Sequence, residues 1–246
     1  MLINQTTDKL SSMHLSAMIK EYRRQMEHSP IGELSFDERF AMIVDAEWTS
    51  RKNNNMQKLL KRANLKIRNA CLEDVDYSAE HNIDKNTVAR LADCQWVKEG
   101  RSLIVTGATG VGKTFLICAF GNAACRQGLK TRYYRVSRLL NDLAVSHGDG
   151  SYNKLMRDLK KVDVLILDDF GMAMFDPATS RDLLEVVDER VGFNGTILAA
   201  QFPVLRWHEL FEDSTVADAV LDRVIHSSYR FEPKGDTKRK ENCTQQ

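Results

Sequence analysis

The sequence contains no long apolar run and no segment with the layout of an export signal. No stretch of its 246 residues approaches the roughly 18 consecutive apolar residues that a membrane-spanning helix needs. The opening segment MLINQTTDKL lacks the order of basic and then apolar residues that marks a secretory signal peptide. These absences argue against a membrane protein and against a secreted one, so we expect no membrane among the partners.

The sequence also lacks closely spaced cysteine pairs and a large net charge. The five cysteines form no C-x-x-C pair, and an odd, scattered set is typical of reduced thiols in a cytoplasmic protein. Cys118 and Cys125 lie seven residues apart on one predicted helix, where we expect both to pack in the core. A net charge of +1 identifies no partner, so a charged binding surface has to be sought in local clusters.

The first part of the chain, residues 1–68, is predicted to be entirely helical. Apolar residues recur there at helical spacing, at Leu15, Met18, Tyr22 and Met26. Pro30 and Gly32 are expected to break this helix. Ser35 and Glu38 have the spacing of a capping box, which favours the start of a second helix. The pattern predicts a small all-α N-terminal domain.

From residue 101 onward, short β-rich runs alternate with helical patterns. The runs are SLIVTG, TRYYRV, VLILDD, TILAAQ and SYRFEP, and the middle ones are apolar on both faces. Strands of a parallel sheet covered by helices have this composition, so residues 101–246 are predicted to form an α/β domain. Residues 69–100 are interpreted as a linking region that holds one helix, over residues 84–98.

The segment GATGVGKT, residues 107–114, fits the phosphate-loop pattern G-x-x-x-x-G-K-[ST] at every fixed position. Gly107 and Gly112 allow the tight turns that point backbone N–H groups at phosphate oxygens. Lys113 is expected to reach the β- and γ-phosphates, and the Thr114 hydroxyl to ligate Mg²⁺. A helical pattern follows directly, so its positive end would meet the phosphates. We therefore predict ATP and Mg²⁺ as cofactors, with nucleotide contacts from Gly107, Ala108, Thr109, Gly110, Val111, Gly112, Lys113 and Thr114.

The run VLILDDFG, residues 164–171, carries two adjacent carboxylates at the end of a buried strand. A phosphate loop needs a second strand whose terminal aspartate holds the Mg²⁺ shell, and Asp168 fits that role. Asp169 is the better candidate for polarising the attacking water, since successive side chains of a strand point to opposite faces. The alternative is a pair of solvated aspartates that open a turn before Gly171.

Three further residues are candidates for a part in ATP hydrolysis. Gln201 follows the strand TILAAQF and either holds the water, senses the γ-phosphate or merely caps the strand. Arg223 lies in the predicted helix VADAVLDRVIH, and Arg239 lies in KGDTKRK. Arginine presents a rigid fork of donors to developing phosphoryl charge, so Arg223 could act on the ATP of a neighbouring subunit. Its alternative is a surface ion pair with Asp218 or Asp222.

Two basic stretches are candidates for contact with nucleic acid. Residues 51–70 contain seven lysines and arginines and no acidic residue, and on a helix Lys58, Arg62 and Lys66 would fall near one face. Residues 130–138 place arginines beside two tyrosines, a combination that supports nucleic-acid contact. A solvated helix face and an ordinary amphipathic strand are the alternatives. The candidates for contacting a phosphate backbone are Arg51, Lys58, Lys61, Arg62, Lys66, Arg68, Arg132, Arg135 and Arg138.

Together these segments resemble the IstB family of insertion-sequence ATPases, within the DnaC-like helicase-loader branch of the AAA+ ATPases. The resemblance covers nearly the whole chain. In the N-terminal part it rests on LSAMIKEYRRQ, SFDERFAMIVDAEW and LLKRANLKIRNACLEDVDYS, and in the ATPase part on GATGVGKT, VLILDDFG and VADAVLDRVIHSSYRFEPKGDTKRK. It implies an AAA+ fold with a five-stranded parallel sheet of order 5-1-4-3-2. It also implies ATP-dependent oligomerisation on DNA, remodelling of that DNA and delivery of a transposase to it.

The same resemblance implies roles for single residues. Lys113 and Thr114 match the phosphate-loop positions, Asp168 and Asp169 the acidic pair, Gln201 the first sensor, Arg223 the arginine that acts in trans, and Arg239 the second sensor. Asp169 stands where most AAA+ enzymes have glutamate, which favours an IstB-like protein over a DnaC-like loader. Because its side chain is one methylene shorter, we expect slow ATP turnover.

The implied partners are double-stranded DNA bound with little sequence preference, a cognate transposase, and further copies of the chain with ATP sites at the subunit interfaces. Two other functions share the phosphate loop, a replicative helicase loader and a small-molecule P-loop kinase. The kinase would need a lid and an acceptor pocket, for which the sequence has no clear segment. The loader would need a docking segment for the helicase, whereas the long basic N-terminal region favours the transposition helper.

Overall fold

The structure, a computed structural model, describes residues 2–27, 34–78 and 81–235. The chain divides into two compact units, Met1–Lys58 and Leu59–Gln246. The helices are α1 (Leu2–Ser12), α2 (Ser16–Glu27), α3 (Phe36–Ala63), α4 (Lys85–Leu91), α5 (Gln95–Lys98), α6 (Lys113–Arg126), α7 (Val136–Asp149), α8 (Tyr152–Lys160), α9 (Pro177–Asp188) and α10 (Ser214–Ile225). The strands are β1 (Ser102–Thr106), β2 (Thr131–Arg135), β3 (Val164–Phe170), β4 (Gly195–Ala200) and β5 (Ser228–Phe231).

The secondary structure in the described part of the first unit is helical, as predicted. The capping box forms at the start of α3, where the Ser35 N–H donates to Glu38 Oε2 at 2.8 Å and the Glu38 N–H donates to Ser35 Oγ at 3.3 Å. The predicted break at Pro30 and Gly32 lies outside the described residues. None of the helices in the described part of the chain combines the length and the apolarity needed to cross a membrane. The division of the chain at residues 68 and 100 remains a prediction.

A carboxylate of α3 stabilises the start of α2. Glu47 is 8% exposed, and its Oε2 accepts the backbone N–H groups of Ala17 and Met18 at 2.9 and 3.2 Å. Its other oxygen accepts the Arg51 Nε at 2.9 Å. The first N–H groups of a helix have no partner within the helix, so Glu47 satisfies two of them from outside and ties the two helices together.

The single helix predicted over residues 84–98 is wrong, because two helices occupy this range. α4 ends at Leu91, Cys94 takes the left-handed φ of 59°, and α5 follows. The indole Nε1 of Trp96 donates to the Leu91 carbonyl at 3.1 Å and so fixes α5 against the end of α4. Neither glycine nor proline marks this turn, since a buried cysteine adopts the left-handed conformation instead.

The sheet order is β2-β3-β4-β1-β5, and every neighbouring pair is parallel. This is the predicted order 5-1-4-3-2 written from the other edge. Because the strands are parallel, β1, β3 and β4 all end at the same edge of the sheet. The phosphate loop, the acidic pair and Gln201 therefore come together there.

Both faces of the sheet are buried, as the apolar runs predicted. Along β1, Leu103 and Val105 belong to one apolar cluster, which includes α6, whereas Ile104 belongs to a second cluster with α7 and α9. Cys118 and Cys125 of α6 are fully buried in the first cluster, which confirms their predicted packing role. The site therefore lies at the edge of a sheet whose two faces are both covered by packed helices.

Candidate functional site

The phosphate loop connects β1 to α6 through backbone conformations that favour glycine. Gly107 has a φ of 156° and Gly112 a φ of 93°. A Cβ atom on Gly107 would also lie 2.7 Å from the carbonyl oxygen of Pro233, so a larger residue would displace the backbone there. α6 begins directly after Gly112, which directs its first N–H groups toward the loop. The local geometry is that of an anion-binding loop.

Lys113 lies folded across this loop. Its Nζ donates to the carbonyl oxygens of Gly107 and Ala108, each at 2.7 Å. The ammonium group is therefore held inside the curve of the loop, on the side where a phosphate loop cradles the nucleotide.

Asp168 lies near the carboxyl end of β3, with 2% of its surface exposed. Its Oδ2 accepts the Thr114 hydroxyl at 2.9 Å and the Tyr133 hydroxyl at 2.7 Å, and its Oδ1 accepts the Asp169 N–H at 2.9 Å. Burial, and after it the bond to Asp168, raises the pKa of the Tyr133 hydroxyl, which therefore remains a donor to the carboxylate. All these contacts leave the carboxylate and the Thr114 hydroxyl side by side.

This pair of oxygens fits Mg²⁺. The ion takes hard oxygen ligands and commonly binds through one or two protein groups, nucleotide phosphates and water. The described residues contain no cluster of three acidic, histidine or cysteine side chains that could hold a metal alone. Thr114 and Asp168 would therefore hold the ion together with a nucleotide and not without one.

Asp169 has a different environment although it is the next residue. The register between β3 and β4 shifts between Leu167 and Phe170, so β3 carries one extra residue there. Asp169 has a φ of 59°, in the left-handed region that aspartate and asparagine enter more readily than other non-glycine residues. Its side chain is 34% exposed, with Oδ2 at 3.6 Å from the Arg135 Nε. A β-bulge, and not the regular strand alternation that we expected, separates the two carboxylates.

A cavity of about 480 Å³ joins the phosphate loop, the acidic pair and Gln201. Residues 74–76, His81 and Ile83 also line this cavity, and His81 is held there by two contacts. His81 Nε2 lies 2.8 Å from Asp76 Oδ2, and its Nδ1 lies 2.9 Å from the carbonyl oxygen of Lys234. The volume falls in the range of small-molecule sites, about 300–1,000 Å³.

Gln201 follows β4 and lines the same cavity. Its amide Nε2 lies 3.1 Å from the sulfur of Met172, which is a weak acceptor. The amide therefore stands at the cavity with a partner that a water molecule or a phosphate oxygen can replace.

Of the two candidate arginines, only Arg223 is among the described residues, and it lies away from the cavity. Arg223, on α10, is not among the residues that line the cavity, and its Nε pairs with the carboxylate of Asp188 at the end of α9. Among the described contacts its ion-pair partner is thus Asp188, instead of the Asp218 or Asp222 that we considered from the sequence. Arg239 lies outside the described residues.

The basic stretch 51–70 does not form one helical stripe. α3 ends at Ala63, and Asn64 follows with a left-handed φ of 52°, a common way for a helix to end. The expectation that Lys66 shares a helix face with Lys58 and Arg62 is therefore wrong. The exposed candidates that remain on α3 are Arg51, Lys58, Lys61 and Arg62.

Five other basic candidates line one surface groove of about 730 Å³, which we call the basic groove. Arg132 is anchored there, because its Nη1 donates to the carbonyl oxygen of Arg62 at 3.0 Å and its guanidinium lies 5.4 Å from the Tyr134 ring. The fold thus brings the two basic stretches to one place. The basic residues of the groove are Lys66, Arg68, Arg132, Arg135 and Arg138.

Two residues contact Asp168 in the site although these contacts were not predicted from the sequence. Tyr133 was noted only as an aromatic beside arginines, although the alternation of β2 makes it one of that strand's inward residues. Lys66 was assigned only to DNA, yet its Nζ lies 3.7 Å from Asp168 Oδ2. Nothing in the residue pattern distinguishes this lysine from the basic residues around it.

Known proteins are similar to this one over nearly the whole chain. A family model described as IstB-like ATP binding protein matches residues 8–246. An insertion-sequence ATP-binding protein of Sinorhizobium fredii is 37% identical over 240 residues, which are 98% of this chain and 98% of that protein. An ATP-binding protein of insertion sequence IS1162 from Pseudomonas fluorescens is 41% identical over 203 residues, which are 82% of this chain and 88% of that protein.

Solved structures share the architecture. The DnaC helicase loader matches with a TM-score of 0.58 at 20% identity, over 68% of this chain and 97% of that one. DnaA from Aquifex aeolicus, bound to AMPPCP, matches with a TM-score of 0.58 at 21% identity, over 74% of this chain and 56% of that one. At such identities the likeness shows the fold alone, and it confirms the predicted AAA+ architecture.

Proposed function

The chain belongs to the family of IstB-like ATP-binding proteins of insertion sequences, and from this premise we propose that it assembles on DNA in an ATP-dependent manner and helps a transposase to act there. With this family membership and the AAA+ fold, the protein is an ATPase. The observation that carries the proposal is the meeting of an ATPase site and a basic groove on one α/β unit.

In the proposed reaction, Lys113 binds the β- and γ-phosphates. Thr114 and Asp168 hold Mg²⁺, which when bound neutralises charge on the phosphate oxygens. Asp169 is partly exposed and lies outside this pair of ligands, so it polarises the attacking water, with Arg135 nearby to orient its carboxylate. The short aspartate side chain leaves the carboxylate farther from the water than a glutamate would. Turnover is accordingly slow, which suits a protein that stays ATP-bound while it holds DNA.

Further residues act between subunits in this proposal. Gln201 senses the γ-phosphate from within the cavity, and Arg239 acts as a second sensor. Arg223 does not line the cavity of its own subunit, which supports a role at the ATP of a neighbouring subunit. An arginine supplied in this way is worth about 10³–10⁵ in rate, so hydrolysis depends on assembly.

The DNA surface of the proposal is the basic groove, and the exposed basic residues of α3 are separate candidates for contact with the phosphate backbone. Such a surface binds the phosphate backbone, which carries the same charge in every sequence, so binding has little sequence preference and weakens steeply with salt. A transposase as partner is supported by the insertion-sequence names of the relatives. We place the protein in the cytoplasm, where its cysteines stay reduced.

The proposal is tested by light scattering during size-exclusion chromatography, with duplex DNA and a non-hydrolysable ATP analogue. We expect a DNA-bound oligomer with the analogue and no such complex without nucleotide. The matched control is Lys113→Ala, which keeps the basic residues and loses the phosphate ligand. Monomers alone in the presence of DNA and the analogue would overturn the proposal, and electron microscopy of the same sample gives the DNA path and the subunit interface.

The helicase loader is the second candidate, and the likeness to DnaC in fold is the observation that favours it. The two functions share the ATPase reaction and differ in the partner. A pull-down with purified transposase and with purified replicative helicase separates them, and retention of the helicase alone would favour the loader.

A further inference from the structure

Lys66 lines two cavities at once. It is among the residues of the nucleotide cavity, with Lys113, Thr114 and Asp168, and it is also part of the basic groove. Its side chain is 32% exposed, so part of it is accessible from solvent. Lys66 therefore forms part of the boundary between the ATP site and the proposed DNA surface.

On the nucleotide side, Lys66 and Mg²⁺ have the same target. The Lys66 Nζ lies 3.7 Å from Asp168 Oδ2, the oxygen that also accepts the Thr114 hydroxyl. An ion held by Thr114 and Asp168 would lie within a few ångströms of the ammonium, where two like charges repel each other strongly in a partly buried site. The ion and the ammonium group therefore compete for one carboxylate oxygen.

The backbone around Lys66 is anchored while its side chain has room to move. Leu65 is 4% exposed and Ala63 is fully buried, and Arg132 holds the carbonyl oxygen of Arg62 at 3.0 Å. The four-carbon stem of a lysine is flexible, and its ammonium group is a compact charge that needs no fixed orientation. If the ammonium group moves away from Asp168, it can lie in the basic groove, which Lys66 also lines.

We propose that Lys66 is a shared residue through which the nucleotide state controls one DNA contact. When Mg²⁺ and ATP occupy the site, the ammonium group leaves Asp168 and binds a backbone phosphate in the basic groove. Without them it remains at Asp168 and adds nothing to DNA binding. Since coupling between two ligands is reciprocal, DNA that holds Lys66 also favours Mg²⁺ at Asp168. This inference rests on the proposed DNA-binding function.

The test compares Lys66→Gln with Arg68→Gln, a matched control two residues away in the same groove. DNA affinity is measured by fluorescence anisotropy across a salt series, once without nucleotide and once with Mg²⁺ and a non-hydrolysable ATP analogue. Each phosphate contact that is lost lowers the salt slope by about 0.9 per subunit. We expect Lys66→Gln to reduce the salt slope by this amount only when the nucleotide is present. Arg68→Gln should reduce the slope by this amount in both states. Lys66→Arg should behave as the wild type.

A second measurement follows Mg²⁺ directly, by titrating the ion into the complex of the protein with a fluorescent ATP analogue. Removing the competing ammonium in Lys66→Gln should lower the Mg²⁺ concentration at half-saturation several-fold, and Arg68→Gln should leave it unchanged. Equal slope losses in both nucleotide states, or none in either, would overturn the inference while leaving DNA binding intact. Absence of DNA binding by the wild-type protein would instead reject the proposed function, and the inference with it.

Discussion

The three tryptophans of the chain show how differently its two units are built. Trp48, in the helical unit, is 61% exposed, and the Lys52 ammonium lies 5.0 Å from its ring. In the ATPase unit, Trp96 and Trp207 are 1% and 0% exposed. Each of these two also donates its indole N–H to a backbone carbonyl, at 3.1 and 3.0 Å respectively.

The same contrast extends to the neighbours of Trp48. Phe36, Phe40 and Val44 are exposed by 70%, 51% and 41%, and they recur every fourth residue along α3. The ATPase unit, in contrast, buries both faces of its sheet. A reaction centre needs side chains held by packing, so the site belongs on the sheet. The helical unit keeps apolar and basic groups at the surface, where they contribute little to its own stability.

The largest effect is expected for Trp207→Ala, in the ATPase unit. Removal of a fully buried tryptophan should lower the free energy of unfolding by about 3–5 kcal/mol. Urea denaturation followed by circular dichroism measures this loss. Leu205→Ala is the control, because Leu205 lies two residues away and is 94% exposed, and it should change stability by less than about 0.5 kcal/mol. Similar values for the two variants would break the contrast between buried and exposed positions.

Asp169→Asn should separate activity from structure within the same unit. Asparagine is isosteric and tolerates the left-handed conformation of this residue, so the fold and the ATP affinity should persist. Hydrolysis should fall by about 10²–10⁴, the usual contribution of a general base. Single-turnover ATPase assays and binding of a fluorescent ATP analogue measure the two effects. If ATP binding were lost with the fold intact, the roles of the two aspartates would be reversed.

The basic residues of α3 should matter for DNA and not for ATP. The triple variant Lys58→Gln, Lys61→Gln and Arg62→Gln removes three exposed charges and should reduce the salt slope of DNA binding by about 2–3. ATP binding and thermal unfolding should stay unchanged. An equal slope for the wild type and the variant would leave the basic groove as the remaining candidate surface. The charge-matched control replaces three exposed lysines outside both surfaces, Lys98, Lys154 and Lys161.

The smallest effect is expected for Trp48→Ser. Because the ring is mostly exposed, the substitution should change the free energy of unfolding by less than about 0.5 kcal/mol. Acrylamide should quench the Trp48 emission readily in the wild type, and the accessible fraction should disappear in the variant. A loss of stability like that of Trp207→Ala would show that the helical unit has a core of its own around Trp48.

The sequence predicted the parts of the site that depend on local spacing. The phosphate loop, the capping box at Ser35 and the strand that carries Asp168 near its end all involve residues only a few positions apart. The sheet order followed from the resemblance to a family and not from the residues themselves. Fixed spacing is readable because the chemistry of phosphate binding and helix capping tolerates few alternatives.

Features that depend on left-handed residues and distant contacts were not predictable. The turn at Cys94 contains no glycine or proline, so nothing marked the end of α4 there, and the end of α3 was marked only by Asn64, a weaker signal than glycine. The position of Lys66 beside Asp168 is a contact across more than 100 residues of chain. The bulge at Asp169 depends on the pairing of β3 with β4, which becomes visible only in the assembled sheet.

That bulge also restricts which residue can serve as the proposed base. A glutamate at residue 169 would reach farther, but it would have to adopt a left-handed backbone that costs most residues about 1–2 kcal/mol. Aspartate and asparagine are the non-glycine residues that enter this region with least difficulty, and of the two only aspartate can accept a proton. A glutamate at this position would therefore need either the loss of the extra residue of β3 or stabilising contacts elsewhere that offset this cost. The register of the strand thus influences which carboxylate residue this position accepts most readily.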